Sequence, residues 1–226
     1  MIHSRLPESA LGFADHPLQL IILLFLLSIL PLLVVMGTSF LKLAVVLSLL
    51  RNALGVQQIP PNIAIYGLAL ILTLFIMAPV GFEIRERVAV EPVALEAPDF
   101  FERLDHGVLE PYRAFLRKHA APAQVRFFAS AGRELWPAHD QARLSEDSLL
   151  VMLPAFTVSQ LTEAFKIGLL LYLPFIAIDL IVSNILLAMG MMMVSPMTVA
   201  LPFKLLIFVL MNGWEKLIGQ LLLSYV

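Results

Sequence analysis

Residues 18–50 read LQLIILLFLLSILPLLVVMGTSFLKLAVVLSLL, a run of 33 residues whose only charge is Lys42. A single membrane crossing takes about 20 apolar residues, so this run must tilt, kink or fold back. Two places are weak. Pro31 removes a helix hydrogen bond, and Gly37-Thr38-Ser39 follows six residues later. The whole chain fits the same picture: 60% of its 226 residues are hydrophobic and only 14% are charged. An ordinary soluble domain carries about 25% charged residues and still shows much of its surface to water. A soluble enzyme, a disordered regulator and a disulfide scaffold are therefore excluded, and the chain reads as an all-α, multi-pass membrane protein.

The charges are segregated. Residues 81–148 hold nine Lys/Arg and twelve Asp/Glu, residues 16–80 hold only Lys42 and Arg51, and residues 149–226 hold Glu163, Lys166, Asp179, Lys204, Glu215 and Lys216. This divides the chain into N-terminal membrane helices (1–80), a polar helical insertion (81–148) and a C-terminal apolar region (149–226). A second apolar stretch, Ile63–Val80, can just span the bilayer core. Between the first two stretches, RNALGVQQIPPN (51–62) carries Gly55 and Pro60-Pro61 and must turn. The leader holds Glu8 and Asp15 and no A-x-A site follows, so the first helix is expected to stay in the mature protein. Positive-inside counting, with Arg51 and Lys42, favours a cytoplasmic 51–61 turn and a non-cytoplasmic insertion.

In the insertion, Asp99 with Glu102 reads as a capping box, and Phe101, Leu104, Val108, Tyr112 and Phe115 recur at helical spacing. Pro111 is expected to kink or interrupt that helix. A second amphipathic piece starts near Pro122 and ends at Trp136-Pro137. The C-terminal region has charge-free runs of 12, 24 and 10 residues, punctuated by Pro154, Pro174, Pro196 and Pro202. Two of these runs are too short to span alone, which predicts broken or hairpin helices packed inside protein.

The motifs TSFLKLAVVLSLLRNALGVQQIPPN (38–62), LALILTLFIMAPVGF (68–82), LLVMLPAF (149–156) and IDLIVSNILLAMGMMMVSPMTVALPFKLLIFVLMNGW (178–214) resemble the SctR/FliP family. GVQQIPPN and LWPAHDQARLSEDSLL (135–150) resemble the virulence injectisome members more than the flagellar ones. One departure is Gln160, where relatives commonly carry an acidic residue. The resemblance implies an export-gate subunit of a type III secretion system in the bacterial cell inner membrane. It also implies a homo-oligomer, a pentamer, with SctS-type and SctT-type subunits, largely on the periplasmic side and passing unfolded protein substrates.

Met191, Met192 and Met193 stand between Gly190 and Val194-Ser195-Pro196. Consecutive residues of a regular helix point about 100° apart, so only a non-helical turn aims all three at one pore. The resemblance to the methionine-rich gasket of the family assigns them as the gate. Asp179, isolated between apolar runs, needs a partner or a cavity. Lys204 either snorkels at a helix end or pairs between subunits with Asp179 or Glu163. Arg51, Asn52, Gln57 and Gln58 form either a self-satisfied hairpin or a contact surface for a neighbouring export subunit or substrate. The histidines at 3, 16, 106, 119 and 139 have no metal-binding spacing, and no nucleotide loop or nucleophile motif is present, so neither cofactor nor catalysis is expected. Two rival readings use the same residues: an assembly scaffold that does not line the path, and an ion or solute transporter relaying through Glu163, Asp179 and Lys204.

Overall fold

A computed structural model describes residues 17–56, 59–90, 107–141 and 144–226. Gln57, Gln58, the Asp99–Glu102 capping box and the helical positions Phe101 and Leu104 lie outside the described residues. Eight helices account for most of the rest, and no strand occurs among the described residues.

The long first apolar run breaks as its length requires, but not at Pro31. Helix α1 (Pro17–Gly37) carries Pro31 inside it and ends at Gly37. Helix α2 (Phe40–Leu54) then departs at 63°. A break at this depth frees carbonyl groups that need donors. Thr38 Oγ1 donates to the Val34 carbonyl at 2.5 Å. Thr157 Oγ1 donates to the Met36 carbonyl at 3.0 Å, and the Tyr112 hydroxyl donates to that of Gly37 at 2.9 Å. Glycine at position 37 leaves room for this contact, because a Cβ there would press on the Tyr112 hydroxyl and force it to shift.

Helix α3 (Asn62–Val90) begins after the turn and runs ten residues past the expected boundary at residue 80. It takes Glu83, Arg85, Glu86 and Arg87 with it as extra helical turns. The insertion supplies α4 (Glu110–His119) and α5 (Pro122–Leu135). Both start with proline in the first turn, where its missing N–H costs nothing. Pro111 thus lies in the first turn of α4, just after π-helical Gly107-Val108 and a turn at Leu109.

A larger correction concerns residues 149–188. Pro154 and Pro174 were expected to break this region, yet α6 (Leu149–Ala188) is one helix of 40 residues, about 60 Å long. Each proline costs a hydrogen bond, but contacts along the whole helix outweigh that loss. The first turns of α6 bury Met152 and Phe156 against Phe115 and Leu116 of α4. Its middle buries Ala164 and Phe175 against Leu43, Val46, Leu47 and Leu50 of α2. Its last turns bury Val182 and Leu186 against Ala200.

The expected breaks fall instead at residues 189–195, which join α6 to α7 (Pro196–Leu210), and at Met211-Asn212, which turns the chain by 62° into α8 (Gly213–Leu223). Helices α3 and α6 are each long and apolar enough to cross a membrane, and the bent pairs α1–α2 and α7–α8 raise the number of spans to as many as four. The chain is a membrane protein.

Candidate functional site

The hairpin formed by the end of α6, residues 189–195 and α7 carries Asp179, Met191, Met192, Met193 and Lys204 of the residues singled out in the sequence. Helix α6 ends where the Met189 amide donates to the Ile185 carbonyl, and Gly190 then adopts a left-handed φ of 73°. That conformation is open to glycine and strained for other residues. Met191–Met193 follow in non-helical backbone, with the Met192 amide donating to the Gly190 carbonyl at 3.0 Å. Exposure climbs along the three side chains, from 40% at Met191 to 82% at Met192 and 100% at Met193. Met189 and Met197, at either side, are also exposed. A thioether tip of this kind is apolar, unbranched and able to repack around different surfaces.

Asp179 and Lys204 come together below this loop. Lys204 Nζ donates to Asp179 Oδ2 at 2.7 Å within the same chain. Lys204 lies in the interior of α7 and is 3% exposed, so it does not snorkel. Glu163 is elsewhere. Its carboxylate accepts from Lys42 Nζ at 3.0 Å, so the alternative Glu163–Lys204 pair is not formed.

Lys42 is the polar residue that sequence reasoning missed. It is wholly buried, and its Nζ sits 4.0 Å from the centroid of the Tyr225 ring, a cation–π arrangement. Tyr225 donates its hydroxyl to Gln160 Oε1 at 2.6 Å, and Gln160 Nε2 donates to the His119 carbonyl at 2.9 Å. Gln160, 1% exposed, therefore bridges α6, α4 and the segment after α8 with both ends of its amide used. The imidazole of His119 packs 5.0 Å from the Tyr225 ring; burial, assisted by Lys118 and Lys42 and opposed by Glu163, lowers its pKa to about 4. The signals of this network in the sequence were an unaccompanied lysine in the first apolar run and the departure at Gln160.

The polar turn closes partly on itself. Arg51 donates to Asn62 Oδ1 at 2.5 Å and to the Pro60 carbonyl at 3.4 Å, tying the end of α2 to the start of α3. The remaining surface forms an open cleft of about 560 Å³ lined by Arg51, Asn52, Gly55, Val56, Pro61, Asn62 and Met197. Met197 belongs to the first turn of α7, so the turn and the methionine loop are neighbours. Among the described residues no group of three or more metal-ligating side chains converges.

Residues 23–221 match the model of the FliP family. The chain belongs to the FliP family. The resemblance carried by its motifs is thereby borne out along nearly its full length. Virulence protein YscR of Salmonella typhimurium is 59% identical over 215 residues, covering 95% of this chain and 100% of the relative. The Yop proteins translocation protein R of Yersinia pestis is 58% identical over 208 residues, 92% of this chain and 96% of that one. The hypersensitivity response secretion protein HrcR of Ralstonia nicotianae is 45% identical over 209 residues, with 92% and 96% covered. In this FliP-family chain the relatives' names stand beside a site with two buried lysines, each paired with a partly exposed carboxylate, and an exposed methionine loop.

Proposed function

We propose that this chain is a wall and gate subunit of the inner-membrane export channel of a bacterial type III secretion system. It passes unfolded protein substrates in a pentamer of copies with SctS-type and SctT-type subunits, largely on the periplasmic side. The methionine loop carries the reading. Met191–Met193 leave the helix and become steadily more exposed, with Met192 and Met193 almost wholly uncovered by the described residues of their own chain. Repeated around a ring, they make a soft apolar constriction that deforms around a passing polypeptide and excludes ions by dewetting. The apolar side chains left exposed on α1, α3 and α6, among them Phe25, Phe75 and Leu170, suit burial against lipid and other subunits. The naming of relatives for translocation and secretion agrees with this.

Two observations weigh against an ion or solute transporter. Lys204 closes on Asp179, and Lys42 closes on Glu163, so a relay would first have to break both pairs. Changing Met191, Met192 and Met193 together to Ala is expected to leave assembly intact on native gels while raising the resting ion conductance of the complex. A triple variant that assembles, holds ions as wild type does and secretes normally would overturn the gate. Cross-linking of a stalled substrate to residues 191–193 distinguishes a channel wall from a scaffold, which would give no such product.

A further inference from the structure

Lys204 serves two acceptors at once. Besides the carboxylate of Asp179, its Nζ donates to the Ala53 carbonyl oxygen at 3.2 Å. Ala53 belongs to the last turn of α2, where carbonyl groups lack helical partners and the helix end is partially negative. A buried ammonium is well suited to that position. The chain then turns through Gly55 at φ 77°, with the Gly55 amide donating to the Asn52 carbonyl. A Cβ at Gly55 would touch Lys204 Nζ and Met197 Cγ, each at 3.8 Å. The polar turn after α2 therefore rests directly on α7, at the root of the methionine loop.

From Asp179 the hairpin rises along α6 to Ala188, crosses the loop and returns along α7 from Pro196 to Lys204. Val182, Leu186 and Ala200 pack its two arms together. We infer that Lys204 is a positioning residue that fixes this hairpin to the C-terminal end of α2, holding the methionine loop at one place relative to the polar turn. The positional statement rests on Ala53, Asp179 and Lys204; its consequence for ion retention rests on the gate reading above.

The two bonds of Lys204 are separable. Asp179→Asn keeps an acceptor for Nζ and leaves the bond to Ala53 in place. Exchanging the charges, Asp179→Lys with Lys204→Asp, restores an ion pair but gives position 204 no donor for the Ala53 carbonyl. The chain has no cysteine, so Val56→Cys with Met193→Cys allows spin labels on the turn and the loop alone. The distance between them is measured by pulsed electron paramagnetic resonance in the assembled complex, with labelled copies diluted among unlabelled ones. A narrow distribution is expected in the parent and in Asp179→Asn, and a broad or shifted one in the exchange variant. A narrow, unshifted distribution in the exchange variant overturns the inference. So does broadening in Asp179→Asn, which would assign the effect to the ion pair; should the exchange variant fail to assemble, Lys204→Met, which has no donor for the Ala53 carbonyl, takes its place, and a narrow, unshifted distribution there overturns the inference. Conductance of the same variants, prepared without the two cysteine substitutions, is expected to rise in step with the broadening. A broad distribution without leakage removes the gate reading and leaves the positioning in place.

Discussion

Removing Glu163 should harm this protein more than removing Lys42, although the two form one ion pair. Lys42 is 0% exposed, whereas the Glu163 side chain keeps half of its surface open. Glu163→Ala strands an ammonium inside the bundle of α2 and α6. Stranding one member of a fully buried pair costs about 3–5 kcal/mol. The Tyr225 ring beneath Nζ still returns about 1 kcal/mol, and the openness of Glu163 reduces the starting value, so about 2 kcal/mol is expected. Lys42→Met keeps the length and apolar stem of the side chain and removes the buried charge. The carboxylate it releases already faces outward and is solvated, so the net change is within about 1 kcal/mol. Adding Glu163→Ala to Lys42→Met should then change little, which makes the pair strongly non-additive. Melting of the detergent-extracted protein, followed by the fluorescence of Trp136 and Trp214, reads all three variants. If Lys42→Met proves as damaging as Glu163→Ala, or if the two losses add, the burial asymmetry does not control this pair.

Tyr225→Phe retains the ring that stacks on Phe115 and supports Lys42, but leaves Gln160 Oε1 buried without its donor; a loss of about 1–3 kcal/mol is expected in the same melting assay. An unchanged melt would show that Gln160 is satisfied otherwise. The pKa of His119 is lowered to about 4 from 6.5, so protons favour the unfolded chain: the stabilisation is complete above pH 6.5 and is lost as pH falls from there toward 4. His119→Gln should flatten the decline of stability across that window relative to the parent, and identical slopes in parent and variant would refute the assignment.

The sequence disclosed what depends on composition and local chemistry. Asp179 stands out because a charge among apolar residues needs a partner, and it has one, whereas the same argument went unapplied to Lys42. The bend at Gly37-Thr38-Ser39 was visible as one of two weak points, but its preference over Pro31 was not, since the donors that stabilise it come from Tyr112 and Thr157, far along the chain. Pro154 and Pro174 misled for the same reason. A proline's cost is local and legible, while the contacts that carry α6 through both of them lie on α2, α4 and α7. Gln160 stood out as a departure from the family pattern, and only the fold reveals its use: an uncharged amide can accept from Tyr225 and donate to the His119 carbonyl at once. A carboxylate there would accept from both directions and lack the donor. The exposure of the methionine loop depends on where the hairpin ends, which no spacing rule gives.

The hairpin that carries the methionines is electrically silent. Residues 180–203 contain no charge, and Asp179 and Lys204 cancel each other at its base. One elementary charge crossing the membrane potential is worth about 2.3 kcal/mol per 100 mV. A hairpin that swings with its ion pair intact carries no net charge through that field, so the field does almost no work on it. Voltage across the membrane therefore gives the loop neither an opening force nor a closing one. What displaces it must push on it by contact.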